Sequence, residues 1–219
     1  MQLNLFEEST VNDQGFFENP SFETFKTSGA KYHLIETEED ARKLSELIVT
    51  NKEVAFDTET TSINAIDAEL VGLSFALKEK EAYYVAIPPK REEALRIVNI
   101  FKNVYESENI VKIGQNSKYD IEVLKNYGIE VKAPLWDTMI AHYLITPGRE
   151  NNMDYMAETL LKYQTIHIEE LIGPKGPRQK NMRDLSPIEI RDYAAEDADI
   201  TLRLKNVLEP KLKEVGAEE

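Results

Sequence analysis

The sequence predicts a single α/β domain with a mixed sheet, preceded by a polar arm. Three observations carry this prediction. Short apolar stretches rich in β-branched residues alternate with longer amphipathic stretches from Lys31 onward. Three of the strand-like stretches follow one another through short connections, the pattern of an antiparallel meander. Residues 1–30 sustain neither a helical nor a strand period, and Pro20 and Gly29 interrupt them. The organisation expected is therefore a flexible arm or linker over 1–30 and one domain over 31–219. The isolated phenylalanines of the arm suggest that part of it docks.

The elements follow in order. Tyr32 to Ile35 reads as a strand. Thr37 followed by Glu38, Glu39 and Asp40 reads as a helix N-cap with acids in the first turn, and predicts a helix to about Val49. The meander comprises 53–58, 70–77 and 82–87, and Pro88-Pro89 ends it. A helix is expected over 91–105, a strand over 110–114 and a helix over 117–127 that stops at Gly128. A short strand at 135–137 precedes helices over 138–144, 153–163 and 187–207. Trp136 reads as core or edge packing. The stretch Gly173 to Arg183, GPKGPRQKNMR, is a basic loop in an acidic chain.

Composition narrows the function. The chain has 26 Lys+Arg and 40 Asp+Glu, a formal net charge of −14. A uniformly basic nucleic-acid-binding surface is excluded, because holding duplex phosphates needs lysine and arginine. Cysteine is absent, which excludes disulfides, thiol nucleophiles and cysteine-ligated metals. No uncharged apolar run is long enough for a membrane span, and the N-terminus lacks the pattern of a secretory signal, so a cytoplasmic protein with no membrane partner is expected. His33, His142 and His167 are scattered without ligand spacing and read as structural or surface residues.

Three local patterns gather carboxylates. Asp57 and Glu59 end a predicted strand, and strand alternation points both the same way. Asn116 and Asp120 stand at a strand-to-helix junction, four apart, on one helix face if the helix includes both; Asn116 also reads as an N-cap. Tyr193 and Asp197 are one helical turn apart, with alanines between them that leave room for close approach. Carboxylate ligation without histidine or cysteine suits Mg²⁺ or Mn²⁺. Two such ions roughly 4 Å apart form the clamp used for in-line attack on phosphodiesters.

The order D-x-E, N-x-x-x-D, Y-x-x-x-D resembles the three exonuclease motifs of the DEDD superfamily, tyrosine branch. The flanking runs FDTET, ELVGLSFAL, KIGQNSKYDIEVLKNYGIE, DTMIAHYLI and YAAEDADITLRL resemble the 3′–5′ proofreading exonuclease domain of bacterial DNA polymerase I, from about Val54 to Leu208. That resemblance implies a ribonuclease-H-like fold and hydrolysis of single-stranded or frayed DNA from the 3′ end, with release of nucleoside monophosphates. It implies that Asp57, Glu59, Asp120 and Asp197 bind two Mg²⁺ or Mn²⁺ ions while Tyr193 orients the attacking water. Ile63 would be a wedge beside the terminal base. Gln115, Asn116 and Tyr119 would contact the strand end, and Thr58 would offer its backbone to it. Arg178 and Lys180 would contact phosphate.

A catalytically silent nuclease-fold scaffold and an RNA-trimming exonuclease remain as alternative classes. Partners implied are a single-stranded DNA 3′ end and a polymerase domain. In the arm, Gln2, Leu3, Leu5 and Phe6 belong to a pentapeptide resembling the sliding-clamp-binding motif of bacterial replication proteins. A net charge of −14 still permits an enzyme that grips a few terminal nucleotides through metals and one basic loop.

Overall fold

The computed structural model describes residues 22–217. The clamp-motif residues Gln2, Leu3, Leu5 and Phe6 lie outside that range. The first elements are β1 (Glu23–Thr24), α1 (Phe25–Ser28), β2 (Lys31–Ile35) and α2 (Glu38–Asn51). The Thr37 hydroxyl caps α2, accepting from the Asp40 amide at 3.1 Å. The meander follows as β3 (Glu53–Thr60), β4 (Leu70–Lys78) and β5 (Glu81–Ala86), both neighbouring pairs antiparallel. Then come α3 (Arg91–Ile100), α4 (Lys102–Glu106), β6 (Val111–Gly114), α5 (Lys118–Lys125), β7 (Leu135–Asp137), α6 (Thr138–Ile145) and α7 (Met153–Met156). A π-helical turn at Ala157–Leu161, β8 (Tyr163–Gln164), α8 (Ile168–Ile172), a 3₁₀ turn at Met182–Asp184 and the long helix α9 (Pro187–Glu214) complete the order.

The main sheet has the order β2-β5-β4-β3-β6-β7. β2 joins β5 in parallel, and β6 and β7 extend the other side in parallel. The expected mixed sheet of an antiparallel meander plus parallel strands is present, flanked by helices. Among the described residues no helix is long and apolar enough to cross a membrane.

Four features differ from expectation. The single helix over 91–105 breaks at Phe101, whose backbone (φ −93°, ψ 3°) leaves the helical ladder. The fully buried Phe101 ring stacks on Phe75 at 4.8 Å, a core contact that local propensity does not register. The helix over 153–163 is one α-turn and one π-turn, closed at Lys162 in the left-handed region (φ 53°). The last helix continues past Val207 to Glu214. Within the stretch that reads as an arm, Glu23–Ser28 is folded: β1 pairs in parallel with β8, and Phe25 stacks on Tyr32 at 4.8 Å.

Two apolar layers sandwich the sheet. One buries Phe56, Leu73 and Phe75 against Ile48, Val98 and Leu124 of the helices. The other seats α9 on the sheet through small residues on both surfaces: Ala55, Ala76 and Ala82 below, Ala194, Ala195 and Ala198 above. Side chains this short let the helix axis approach closely. Along β3, Ala55, Asp57 and Glu59 share the face toward α9, and Thr58 points to the other face.

Gly72 lies directly opposite Glu59 in the β3–β4 ladder. The buried Tyr84 ring occupies the place of the missing side chain, since a Cβ on Gly72 would stand 2.0 Å from Tyr84 Cε2. A fully enclosed ring has nowhere to retreat. Gly72→Ala is therefore expected to destabilise the fold by about 1–3 kcal/mol, the usual cost of overpacking. Urea unfolding checks this, and a Gly72→Ala/Tyr84→Ala double variant should recover part of the loss relative to the summed single effects.

Candidate active site

Strand alternation in β3 and the docking of α9 bring Asp57, Glu59 and Asp197 together. One carboxylate oxygen from each lies within 4.8 Å of the others. Glu59 is buried and its Oε1 has no hydrogen-bond partner, while Asp57 and Asp197 are half-buried. Burial holds all three carboxyls well above the usual range, and they hold one another up. For Asp57 the next contributors are Asp120 and Asp197; for Glu59 they are Asp57 and Asp120. Converging oxygens, one of them buried without a donor, fit a hard divalent cation.

Asp120 is not one of the three acids whose oxygens lie within 4.8 Å of one another, but its charge acts on Asp57 ahead of that of Asp197 and also on Glu59. Its Oδ1 accepts from the Thr58 amide at 3.1 Å and from the Thr58 hydroxyl at 2.5 Å. Burial raises Asp120 to about 7, with the Thr58 bonds opposing. Thr58 alternates away from α9, so it meets the acid carried by α5. The Thr58 N–H is thereby bonded to Asp120.

Asn116 has a left-handed backbone (φ 56°) and precedes the helix, which begins at Lys118 with Ser117 as its cap residue. The expectation that Asn116 and Asp120 share a helix face therefore fails, as does Asn116 as N-cap. The tight turn needs Gly114, where a Cβ would meet Ser117 Cβ at 2.6 Å. Asp137 secures it. Its carboxylate accepts from Asn116 N (3.3 Å), Ser117 N (2.8 Å) and Ser117 Oγ (2.8 Å), and also caps α6 through Met139 N (2.9 Å) and Ile140 N (3.2 Å). The motif pattern leaves this residue out, although an Asp before the apolar run 138–145 carries a capping signal.

Tyr193 lies one turn before Asp197 on α9. The Asp197 charge, then burial, then Glu59 and Asp57 push its phenol far above the ordinary tyrosine range. The hydroxyl stays protonated at neutral pH, so it is a hydrogen-bond donor and not a base.

The other sequence-derived residues fall into two sets. Gln115 is held inward, donating to the Asn151 carbonyl at 2.9 Å and accepting from the Thr138 hydroxyl. The Tyr119 hydroxyl bonds Thr60 Oγ1 at 2.6 Å and donates to the Ser62 carbonyl, buttressing the β3–β4 connection. Ile63, next along that connection, is 99% exposed. Arg178 and Lys180 belong to the 173–183 loop, Arg178 exposed and Lys180 beside the docked end. Two neighbours dock that loop: Asn181 Nδ2 donates to the Thr61 carbonyl at 2.7 Å, and Arg183 donates to the Ile87 carbonyl at 2.6 Å and to the Leu70 carbonyl. Arg183, one of the loop's basic residues, is a structural tie.

A cleft of about 220 Å³ opens beside the acids, between Tyr193 and Asp197 on one wall and Asp154, Ile166 and His167 on the other. His167 Nδ1 faces Asp154 Oδ2 at 3.4 Å. No sequence spacing marks this histidine. His142, by contrast, is structural, its ring nitrogens 2.6 Å from Asn151 Oδ1 and 3.0 Å from Thr146 Oγ1. A larger apolar cavity of about 490 Å³ between α6, β7 and the end of α9 is lined by none of the three clustered acids.

A strand-end acid pair completed by a helix-borne acid on this mixed sheet defines a ribonuclease-H-like nuclease architecture. Known proteins agree. The profile of a family described as 3′–5′ exonuclease matches residues 32–213. DNA polymerase I of Borreliella burgdorferi is 38% identical over 194 residues, covering 87% of this chain and 21% of that protein. DNA polymerase I of Pseudomonas aeruginosa is 38% identical over 171 residues, covering 74% of this chain and 19% of that protein. The chain thus spans about one fifth of these relatives' length. Among solved structures, Escherichia coli RNase D, an exoribonuclease involved in structured RNA processing, matches with a TM-score of 0.66 at 21% identity, over 85% of this chain and 46% of that one. Brucella melitensis NrnC with bound Mg²⁺ matches with a TM-score of 0.62 at 22% identity, over 86% of this chain and 84% of that one. At such identities these structures show the fold alone. The chain belongs to the 3′–5′ exonuclease domain family of DNA polymerase I.

The carboxyl shifts predict an unusual pH dependence. An acid whose pKa is raised by folding stabilises the fold at low pH and loses that contribution as pH rises through the folded value. For Asp120 the window runs from about 4, the unfolded value, to about 7. The metal-free protein should therefore lose stability from Asp120 between about pH 4 and about pH 7, and the three clustered acids, also raised, act in the same direction. Mg²⁺ should raise Tm more at the alkaline end. Asp57→Asn should raise the metal-free Tm at alkaline pH by the equivalent of about 1–3 kcal/mol and weaken the Mg²⁺ response. Thermal melts across pH, with EDTA or Mg²⁺, check all three.

Proposed function

We propose that this chain is a metal-dependent 3′–5′ exodeoxyribonuclease that removes nucleoside monophosphates from single-stranded or frayed DNA ends. The observation that carries the reading is the convergence of Asp57, Glu59 and Asp197, with Glu59 Oε1 buried and unpartnered. Those three acids would hold divalent ions, which supply an acidified water and charge neutralisation at the leaving oxygen. Asp120, fixed by Thr58 and the first charge neighbour of Asp57, would serve as the fourth acid of the site. Tyr193 donates its phenolic hydrogen to the attacking water and so orients a lone pair toward phosphorus. Water oxygen bonds to the terminal phosphorus and gives up a proton to solvent, the bond from phosphorus to the preceding nucleotide's O3′ breaks, and that oxygen takes a proton from solvent, so that the protons balance.

Exposed Ile63, on a connection braced by Tyr119, suits a wedge beside the terminal base. Arg178 and Lys180 suit phosphate contacts, since Asn181 ties their loop to the same connection. DNA is favoured over RNA as substrate because relatives at 38% identity are DNA polymerases, whereas the RNA enzyme RNase D is alike at 21%.

The test is a gel assay on 5′-labelled and 3′-labelled DNA and RNA oligomers, with Mg²⁺, Mn²⁺ or EDTA. A stepwise ladder from the 5′ label and immediate mononucleotide from the 3′ label are expected, on DNA, with metal only. Asp57→Ala and Asp197→Ala should each lower the rate by at least about a hundredfold while the fold melts normally. Full activity in EDTA, or in both variants, overturns the reading. Arg178→Ala/Lys180→Ala should raise KM with little change in kcat. The slope of log affinity against log salt should flatten by about 0.7 for each phosphate that is no longer neutralised. Steady-state kinetics over a salt series reads this out.

A further inference from the structure

Immediately before Asp197 on α9 sits a second carboxylate that the proposed reaction does not use. Glu196 is fully buried. Its Oε1 accepts from the Tyr163 hydroxyl at 2.6 Å and its Oε2 from the Ile166 amide at 2.6 Å. Tyr163 is itself fully buried, with the Arg203 guanidinium 4.8 Å above its ring. A buried acid beside Asp197 is an electrostatic burden, since its charge adds to those acting on the metal-facing carboxylate. An apolar residue at this position would fill the volume without that cost. What it would not do is hold two points of one segment. Residues 163–166 lead directly into His167, so the two bonds fix the Ile166–His167 wall of the 220 Å³ cleft against the wall carrying Tyr193 and Asp197. Two short bonds from one rigid helical position set both the distance and the orientation of that wall.

The geometry points to Glu196 as a positioning residue: through Tyr163 and the Ile166 amide it sets the width of the cleft that receives the DNA end. It touches neither metal nor substrate and acts on binding, through the wall. The inference rests on the exonuclease reading above.

Three variants of the full chain test it: Glu196→Leu, Glu196→Gln and Tyr163→Phe. Each is measured for KM and kcat on a labelled single-stranded DNA oligomer, for Mg²⁺ affinity by calorimetry, and for Tm. Glu196→Leu breaks both bonds and should raise KM about tenfold, with kcat and Mg²⁺ affinity within about threefold of the parent. Glu196→Gln still accepts from the Ile166 amide and can pair with the Tyr163 hydroxyl, so it should restore KM to within about twofold. Tyr163→Phe removes one bond at nearly constant volume and should fall between.

A lowered Tm with unchanged KM in Glu196→Leu reduces the residue to a fold stabiliser and overturns the proposal. So does a loss of kcat and Mg²⁺ affinity in step, which would mean action through Asp197. Should Glu196→Leu fail to fold, Tyr163→Phe decides: a raised KM supports the clasp and an unchanged one overturns it. A parent protein without metal-dependent activity would instead defeat the exonuclease reading, while an active parent with indifferent variants defeats only the clasp.

Discussion

The structure depends on the close approach of an alanine-faced helix to an alanine-floored sheet. Ala194, Ala195 and Ala198 share one buried layer with Ala55, Ala76 and Ala82 of the sheet, and larger side chains such as Tyr84 and Ile113 fill the space around them. Replace one of these alanines by leucine and the helix must lift. Asp197 would then leave Asp57 and Glu59, because these acids meet only through that packing. Burial of the most ordinary apolar kind thus determines whether three carboxylate oxygens converge.

Convergence of like charges opposes folding, and the rest of α9 offsets it. Beyond the acids the helix is tied down by polar links. Asp199 accepts from the Tyr32 hydroxyl at 2.9 Å and the Lys80 amide at 2.7 Å. Arg203 pairs with Glu23 at 3.0 Å, and Lys205 with Glu53 at 3.0 Å. Because the Arg203 and Lys205 side chains are largely buried, removing one partner would leave an unpaired buried charge, which makes these pairs costly to break on one side only. They join the helix to β1, β2, β3 and the β4–β5 turn. The same helix that brings the repulsion therefore carries the ties that resist it.

The site is legible in the sequence where chemistry follows from period. Asp57 and Glu59 share a face because strands alternate, and Tyr193 and Asp197 share one because helices turn. Where position depends on a distant partner, spacing misleads. Four residues separate Asn116 from Asp120, yet Asn116 lies outside the helix, because the turn is set by the missing Cβ of Gly114 and by Asp137 reaching back about twenty residues. Motif order groups Asp120 with the other acids, and its charge does reach Asp57 and Glu59, but the Thr58 bonds that anchor it carry no sequence signal. His167 and Glu196 carry no local signal, since their partners come from other elements. In the fold, the meander is readable from connection length. The two-residue strands β1 and β8 are not, being too short to show a period, and the break at Phe101 answers to a ring in another element.

The late position of α9 has a consequence for synthesis. Asp57 and Glu59 leave the ribosome 140 and 138 residues ahead of Asp197. The antiparallel meander can form long before the last acid exists, and its alanine floor stays uncovered until α9 docks. Convergence of the three acids and burial of that floor are therefore gained in one event. Until then a nascent chain has neither the assembled acid cluster nor a closed core, and the same helix supplies both.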